Sequence, residues 1–135
     1  MKKNVFCGIL LALAAVIAIG FVTVLGPCVH EDGSEAPCVR AGRAVFCAGC
    51  VLAVLAALIL LIRNSFVRIV LFSISLCVAA VGIALPGTIF PICRMDTMHC
   101  RTVMQPAMII LFACELIASA CGLIVERNRI RRGRP

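Results

Sequence analysis

Apolar residues in this chain fall into four long runs, and most charged residues lie in the gaps between them or at the two ends. The runs cover approximately 5–25, 44–62, 66–85 and 107–125. The hydrocarbon core of a bilayer is spanned by about 20 apolar helical residues at 1.5 Å rise each, which is the length scale of every run. Lipid offers backbone N–H and C=O groups no partner, so a spanning segment satisfies them internally as a helix or joins a closed barrel. Barrel strands are short and alternate in polarity, and these runs do neither. The pattern predicts an all-α membrane protein forming one domain over 1–135. Its four transmembrane helices are joined by loops over 26–43 and 86–106, and a basic tail covers 126–135.

Composition strengthens this reading, because 63% of the residues are hydrophobic and the mean hydropathy is +1.15. Soluble domains hold about 45–50% apolar residues, so an ordinary soluble fold is excluded. Met1-Lys2-Lys3 ahead of the first run has the form of a signal-peptide start. The run nevertheless exceeds the usual apolar segment of about 7–15 residues, and no A-x-A site follows it. Leu25-Gly26-Pro27-Cys28 has some likeness to a lipoprotein cleavage box, but proline before the cysteine disfavours cleavage. The first run is therefore expected to be a retained helix.

Charge sets the orientation. If the four helices alternate, Lys2, Lys3, Arg63, Arg68, Arg127, Arg129, Arg131, Arg132 and Arg134 share one side. Arg40, Arg43, Arg94 and Arg101 lie on the other, offset by Glu31, Asp32, Glu35 and Asp96. The positive-inside rule then predicts a multi-pass protein of the cell membrane with both termini and the Arg63-Asn64-Ser65 turn in the cytoplasm. Attraction to anionic headgroups accounts for the arginine-rich tail, which has neither the aromatics nor the platform of a nucleic-acid site; no nucleic-acid partner is expected.

Both outer loops carry cysteines: Cys28 and Cys38 in the first, Cys93 and Cys100 in the second. Disulfides persist on the oxidising side of a membrane, so these four are candidates for structural bridges. Three pairings are open to them, and each bridge adds about 2–4 kcal/mol in water-based models. The other six, Cys7, Cys47, Cys50, Cys77, Cys114 and Cys121, fall within apolar runs and read as small, readily buried packing residues.

The two halves also share a grammar: apolar helix, Gly/Pro break, cysteine, polar segment, cysteine followed closely by arginine, apolar helix. Gly26-Pro27-Cys28 and Cys38-Val39-Arg40 mark it in the first half; Pro86-Gly87, Pro91-Ile92-Cys93 and Cys100-Arg101 mark it in the second. Two repeated hairpins predict a compact four-helix bundle. Ala12, Ala14, Ala15, Ala18 and Gly20 in the first run, and Ala48, Gly49, Ala53, Ala56 and Ala57 in the second, allow close helix approach. Without Trp or Tyr the interfacial aromatic belt is weak, leaving arginine and the loops to set helix depth.

Three constellations carry possible chemistry. Arg43, Cys47 and Cys50 share a helix face at i, i+4 and i+7, and a guanidinium beside a C-x-x-C pair favours reversible thiol chemistry. With the loop cysteines this resembles the four-helix quinone-linked disulfide oxidases, although that group carries its C-x-x-C in an outer loop. Cys93, Met95, Met98, His99 and Cys100 are donors suited to copper(I), and small mercury carriers resemble this mix of membrane and loop cysteines but have an adjacent pair absent here. Glu115 is the one acid well inside a run. A charged carboxylate there costs several kcal/mol, so it is expected to be neutral, paired or facing a wet cavity. Ser73, Ser75 and Cys77 lie at comparable depth, whereas Arg68 lies too near the cytoplasmic end for direct contact.

The helix order, Pro91-Ile92-Cys93, Met98-His99-Cys100 and the paired outer cysteines together resemble a family of small prokaryotic four-helix membrane proteins catalogued as a domain of unknown function. The resemblance spans nearly the whole chain and implies topology without an activity; the Val29–Pro37 stretch makes the first loop longer than the family pattern. There is no phosphate loop, zinc-protease box or nucleophile elbow, and no cofactor is implied. The expectation is a non-enzymatic accessory or scaffold subunit, embedded in lipid and docked on a larger membrane partner, with a thiol–disulfide relay or soft-metal transport as alternatives.

Overall fold

A computed structural model of the chain describes residues 2–23, 37–85, 88–89 and 100–133, with side chains over 5–20, 39–85, 88–89 and 102–133. Four α-helices follow in order: α1 (Lys2–Thr23), α2 (Pro37–Leu61), α3 (Ser65–Ala84) and α4 (Gln105–Arg131). A π-helical turn, Cys100–Met104, leads into α4. Among the described residues, three stretches are long and apolar enough to cross a membrane, Val39–Leu61, Ser65–Ala84 and Thr102–Arg131; the apolar helix described in α1, Val5–Gly20, is shorter. The chain is thus an all-helical protein of membrane character.

Sequence neighbours are spatial neighbours. The most extensive contacts are α1 with α2 and α3 with α4, and smaller α2–α3 and α1–α4 contacts close the ring. One cluster of buried side chains joins Ala14, Ile17, Val45, Leu52, Leu85, Met104, Met108 and Phe112. A second, towards the arginine-rich end, joins Cys7, Leu10, Ala56, Ile59, Phe72 and Ala118.

Helix limits depart from the apolar runs in three places, each with a local cause. The first loop was expected to reach residue 43, but α2 begins at Pro37, placing Cys38, Arg40 and Arg43 on helix. Proline suits a first helical position, where its missing N–H would have no partner anyway. The second loop was expected to reach 106, but the chain is helical from Cys100. Pro106 has no N–H to bond back along the helix, and its ring crowds the preceding turn; the wider π-helical turn accommodates it. The expected tail is helical as far as Arg131, because Glu and Arg are good helix formers and Gly133, at φ 63°, closes the end in the left-handed region by donating its N–H to the Ile130 carbonyl.

The α2–α3 connection is short. Asn64 caps α3, its Oδ1 accepting the Phe66 N–H at 3.0 Å. At the far end of α3 the Ala84 carbonyl accepts both the Ile89 N–H and the Thr88 hydroxyl, satisfying a group that the helix itself leaves open.

Candidate functional site

The polar residues inside the bundle lie along one seam between α3 and α4. On α3 the buried positions are Arg68, Phe72, Ser75, Ala79 and Gly82, steps of three and four that keep one stripe turned inwards. On α4 the facing stripe includes Phe112, Glu115, Ser119, Gly122 and Glu126. The helices are antiparallel in a single register. Arg68 meets Glu126, the Phe72 ring lies where a β-carbon on Gly122 would be, Ser119 donates to Ser75 Oγ at 3.4 Å, and the Phe112 ring lies against Gly82. The same register sets Ala79 opposite Glu115.

Two rungs of this ladder are aromatic rings in glycine notches. Gly82 and Gly122 are required here for space, since a β-carbon at either would collide with a ring of the opposing helix. Of the three α3 residues at comparable depth to Glu115, Ser75 is buried and meets Ser119 of α4. Ser73 instead donates to the Ile69 carbonyl of its own helix at 2.9 Å, and Cys77 is exposed.

Glu115 is wholly buried, and neither carboxyl oxygen has a hydrogen-bond partner among the described residues. Its small neighbour in the register, Ala79, gives it room without polar contact. The carboxyl is therefore enclosed within the bundle and is not presented on its outer surface.

At the arginine-rich end the seam finishes in a charged cluster. Arg68 Nη1 lies 3.2 Å from Glu126 Oε1, and Arg129 Nη1 lies 3.4 Å from Glu126 Oε2. Arg68 Nη2 donates to Cys7 Sγ at 3.5 Å, which ties α1 into the cluster. The Arg68 and Glu126 side chains are only 8% and 3% exposed, so each needs the other: removing one partner of a buried ion pair costs about 3–5 kcal/mol. Arg68 Nε has no hydrogen-bond partner among the described residues. Phe6, Arg68, Phe72, Gly122, Val125, Glu126 and Arg129 line a cavity of about 140 Å³. A second hollow of about 350 Å³, lined by Val125, Asn128, Arg129 and Arg132, adjoins it through two shared residues.

The Arg68–Glu126 pair is not apparent from the sequence, in which Glu126 opens the basic tail. A signal was present. Continuing the Phe112, Glu115, Ser119, Gly122 stripe by four residues lands on Glu126, on the same face of α4.

The remaining candidates are dispersed. Arg43 and Cys47 are exposed and Cys50 is half-buried, so the three share an outward face of α2, both thiols free. Cys28, Cys93, Met95, Met98 and His99 lie outside the described residues, while Cys38 and Cys100 are placed in backbone only, in α2 and the π-helical turn. The expectation that the helical cysteines are buried needs correcting. Cys7 is buried, but Cys47, Cys77, Cys114 and Cys121 are exposed. A surface turned towards lipid is as favourable for a thiol as an apolar interior, so hydrophobicity alone does not send cysteine inwards.

Residues 10–125 match the model of the family described as Domain of unknown function (DUF4418). The chain belongs to this family. The DUF4418 match takes in most of the α3–α4 ladder, Glu115 included, and ends immediately before Glu126. No curated protein and no solved structure matches the chain. DUF4418 membership bears out the family resemblance carried by the helix order and the loop motifs, and it leaves activity to be argued from the geometry.

Proposed function

We propose that this DUF4418 protein crosses the cell membrane four times with both termini in the cytoplasm, and that it is an accessory or scaffold subunit of a larger membrane assembly such as a transporter. Its outer loops, held by bridges among Cys28, Cys38, Cys93 and Cys100, and one flank of its bundle would form the contact surface. The observation that carries the reading is the outer face of α4. Ile110, Cys114, Ile117, Cys121 and Ile124 recur there at alternating steps of four and three, and all are exposed. This is the same spacing that the inner face uses against α3, so α4 has two seams suited to a neighbouring helix and uses one of them within the chain. The duplicated hairpin grammar belongs to the same proposal, since most of its marker residues lie outside those described.

Replacing Ile117 with a photo-crosslinking residue, followed by extraction in gentle detergent, tests the reading. A stoichiometric protein adduct supports it. Repeated recovery of a lone chain with adducts only to lipid overturns it. A thiol–disulfide relay is the second reading, favoured by the two free thiols on the Arg43 face; Cys47→Ser would abolish electron exchange with quinone or a soluble thiol protein, whereas a scaffold tolerates it.

A further inference from the structure

We infer that the paired hollows at the arginine-rich end form a discrete site for the phosphate headgroup of an anionic phospholipid. The charge balance is the first support. Arg68, Arg129 and Arg132 line the two hollows against a single carboxylate, Glu126, which leaves an excess of positive charge. Donor supply is the second. A guanidinium has five N–H donors and no acceptor, and Arg68 and Arg129, both in the inner lining, share the one Glu126 carboxylate, which cannot take up all of their donors. An anion with several acceptor oxygens is the chemistry that such a pocket lacks, and guanidinium matches phosphate through paired parallel hydrogen bonds.

Free phosphate shares that chemistry, but the remaining lining points to lipid. Phe6, Phe72, Gly122 and Val125 are apolar members of the inner lining, and Val125 is shared with the outer hollow. A headgroup seated on the arginines therefore has apolar neighbours for its glycerol and acyl chains. The inner volume of about 140 Å³ is well above the roughly 10–15 Å³ that admits one water, which leaves room for a group larger than water. Basic pockets between helices on the cytoplasmic side are known places for such headgroups. The inference rests on bilayer embedding and needs no protein partner, so it stands or falls separately from the scaffold reading.

The test uses the full chain in mild detergent, titrated with phosphatidylglycerol or phosphatidylcholine and followed by native mass spectrometry. Two double variants separate a discrete site from diffuse attraction to the basic end. Arg129→Gln with Arg132→Gln removes lining residues, while Arg127→Gln with Arg131→Gln removes the same charge from exposed positions outside the hollows. Circular dichroism confirms that each is folded. The expected result is preferential phosphatidylglycerol retention that falls about tenfold or more in the first variant, which loses two paired guanidinium–phosphate contacts, and changes less than about twofold in the second. Equal losses in the two variants, equal retention of phosphatidylcholine, or full displacement of lipid by millimolar inorganic phosphate would each overturn the assignment.

Discussion

The α1–α2 and α3–α4 interfaces are comparably extensive but chemically unlike. Between α1 and α2 the buried positions include Cys7, Leu10, Ala14 and Ile17 on one side and Val45, Leu52, Ala56 and Ile59 on the other. The helices come close at Gly49, where an added β-carbon would lie 3.0 Å from Ile17 Cγ2 and 3.3 Å from the Ala18 backbone nitrogen. Between α3 and α4 an ion pair, a serine pair and a solitary carboxyl alternate with rings in glycine notches. In lipid the apolar effect gives helices little reason to prefer each other over acyl chains, so contact depends on fit and on polar pairs. Apolar surfaces of similar residues tolerate sliding, whereas Arg68–Glu126 and the two ring-and-notch contacts define one register. The α1–α2 pair is held by closeness; the α3–α4 pair is also indexed.

Breaking the index at its charged end gives the largest expected effect. Glu126→Ala leaves Arg68 buried without its carboxylate and should lower stability by about 3–5 kcal/mol, measured by equilibrium unfolding in mixed micelles. A loss below about 1 kcal/mol would mean that the pair is solvated and that the contrast between the hairpins is overstated. Next come the notches: Gly122→Ala and Gly82→Ala should each cost about 1–3 kcal/mol through overpacking. Gly49→Ala, in the apolar pair, should fall at or below the low end of that range, because its neighbours need to yield by only a few tenths of an ångström. Equal effects at all three glycines would erase the difference.

Glu115→Leu should act in the opposite direction. It removes two unpartnered polar atoms from a buried position and should raise stability by about 1–3 kcal/mol in the same assay. Destabilisation would show that the carboxyl has a partner in the bilayer. The smallest effect is expected at Ser75 and Ser119. A double-mutant cycle to alanine should give a coupling of about 0.6 kcal/mol, typical of interhelical hydrogen bonds in membranes and consistent with a long 3.4 Å contact.

Much of this architecture is legible in the sequence, because lipid imposes a coarse rule: long apolar runs become helices and charge collects at their ends. Four runs gave four helices, and the Arg63-Asn64-Ser65 turn falls where α2 gives way to α3. The limits at Pro37, Cys100 and Arg131 were harder to read, since charged and polar residues continue a helix as readily as they end one. The site was only partly legible. Depth along the chain singled out Glu115 but could not separate Ser75, which is buried, from Ser73 and Cys77, which are exposed; the burial of Glu126 likewise depends on helical phase. Gly82 and Gly122 have meaning only against Phe112 and Phe72, a relation between distant residues that no local pattern contains.

The outward thiols have a further consequence. With Cys47, Cys77, Cys114 and Cys121 on the surface of helices built for lipid, most of the described free sulfhydryls belong to the oily phase. Reagents dissolved in the bilayer, such as tail-bearing maleimides or aldehydes from oxidised acyl chains, meet Cys47 and Cys77 directly and reach Cys114 and Cys121 wherever no partner covers α4, while Cys7 is buried against Arg68. The unaltered chain thus carries its own set of labelling handles distributed along three helices.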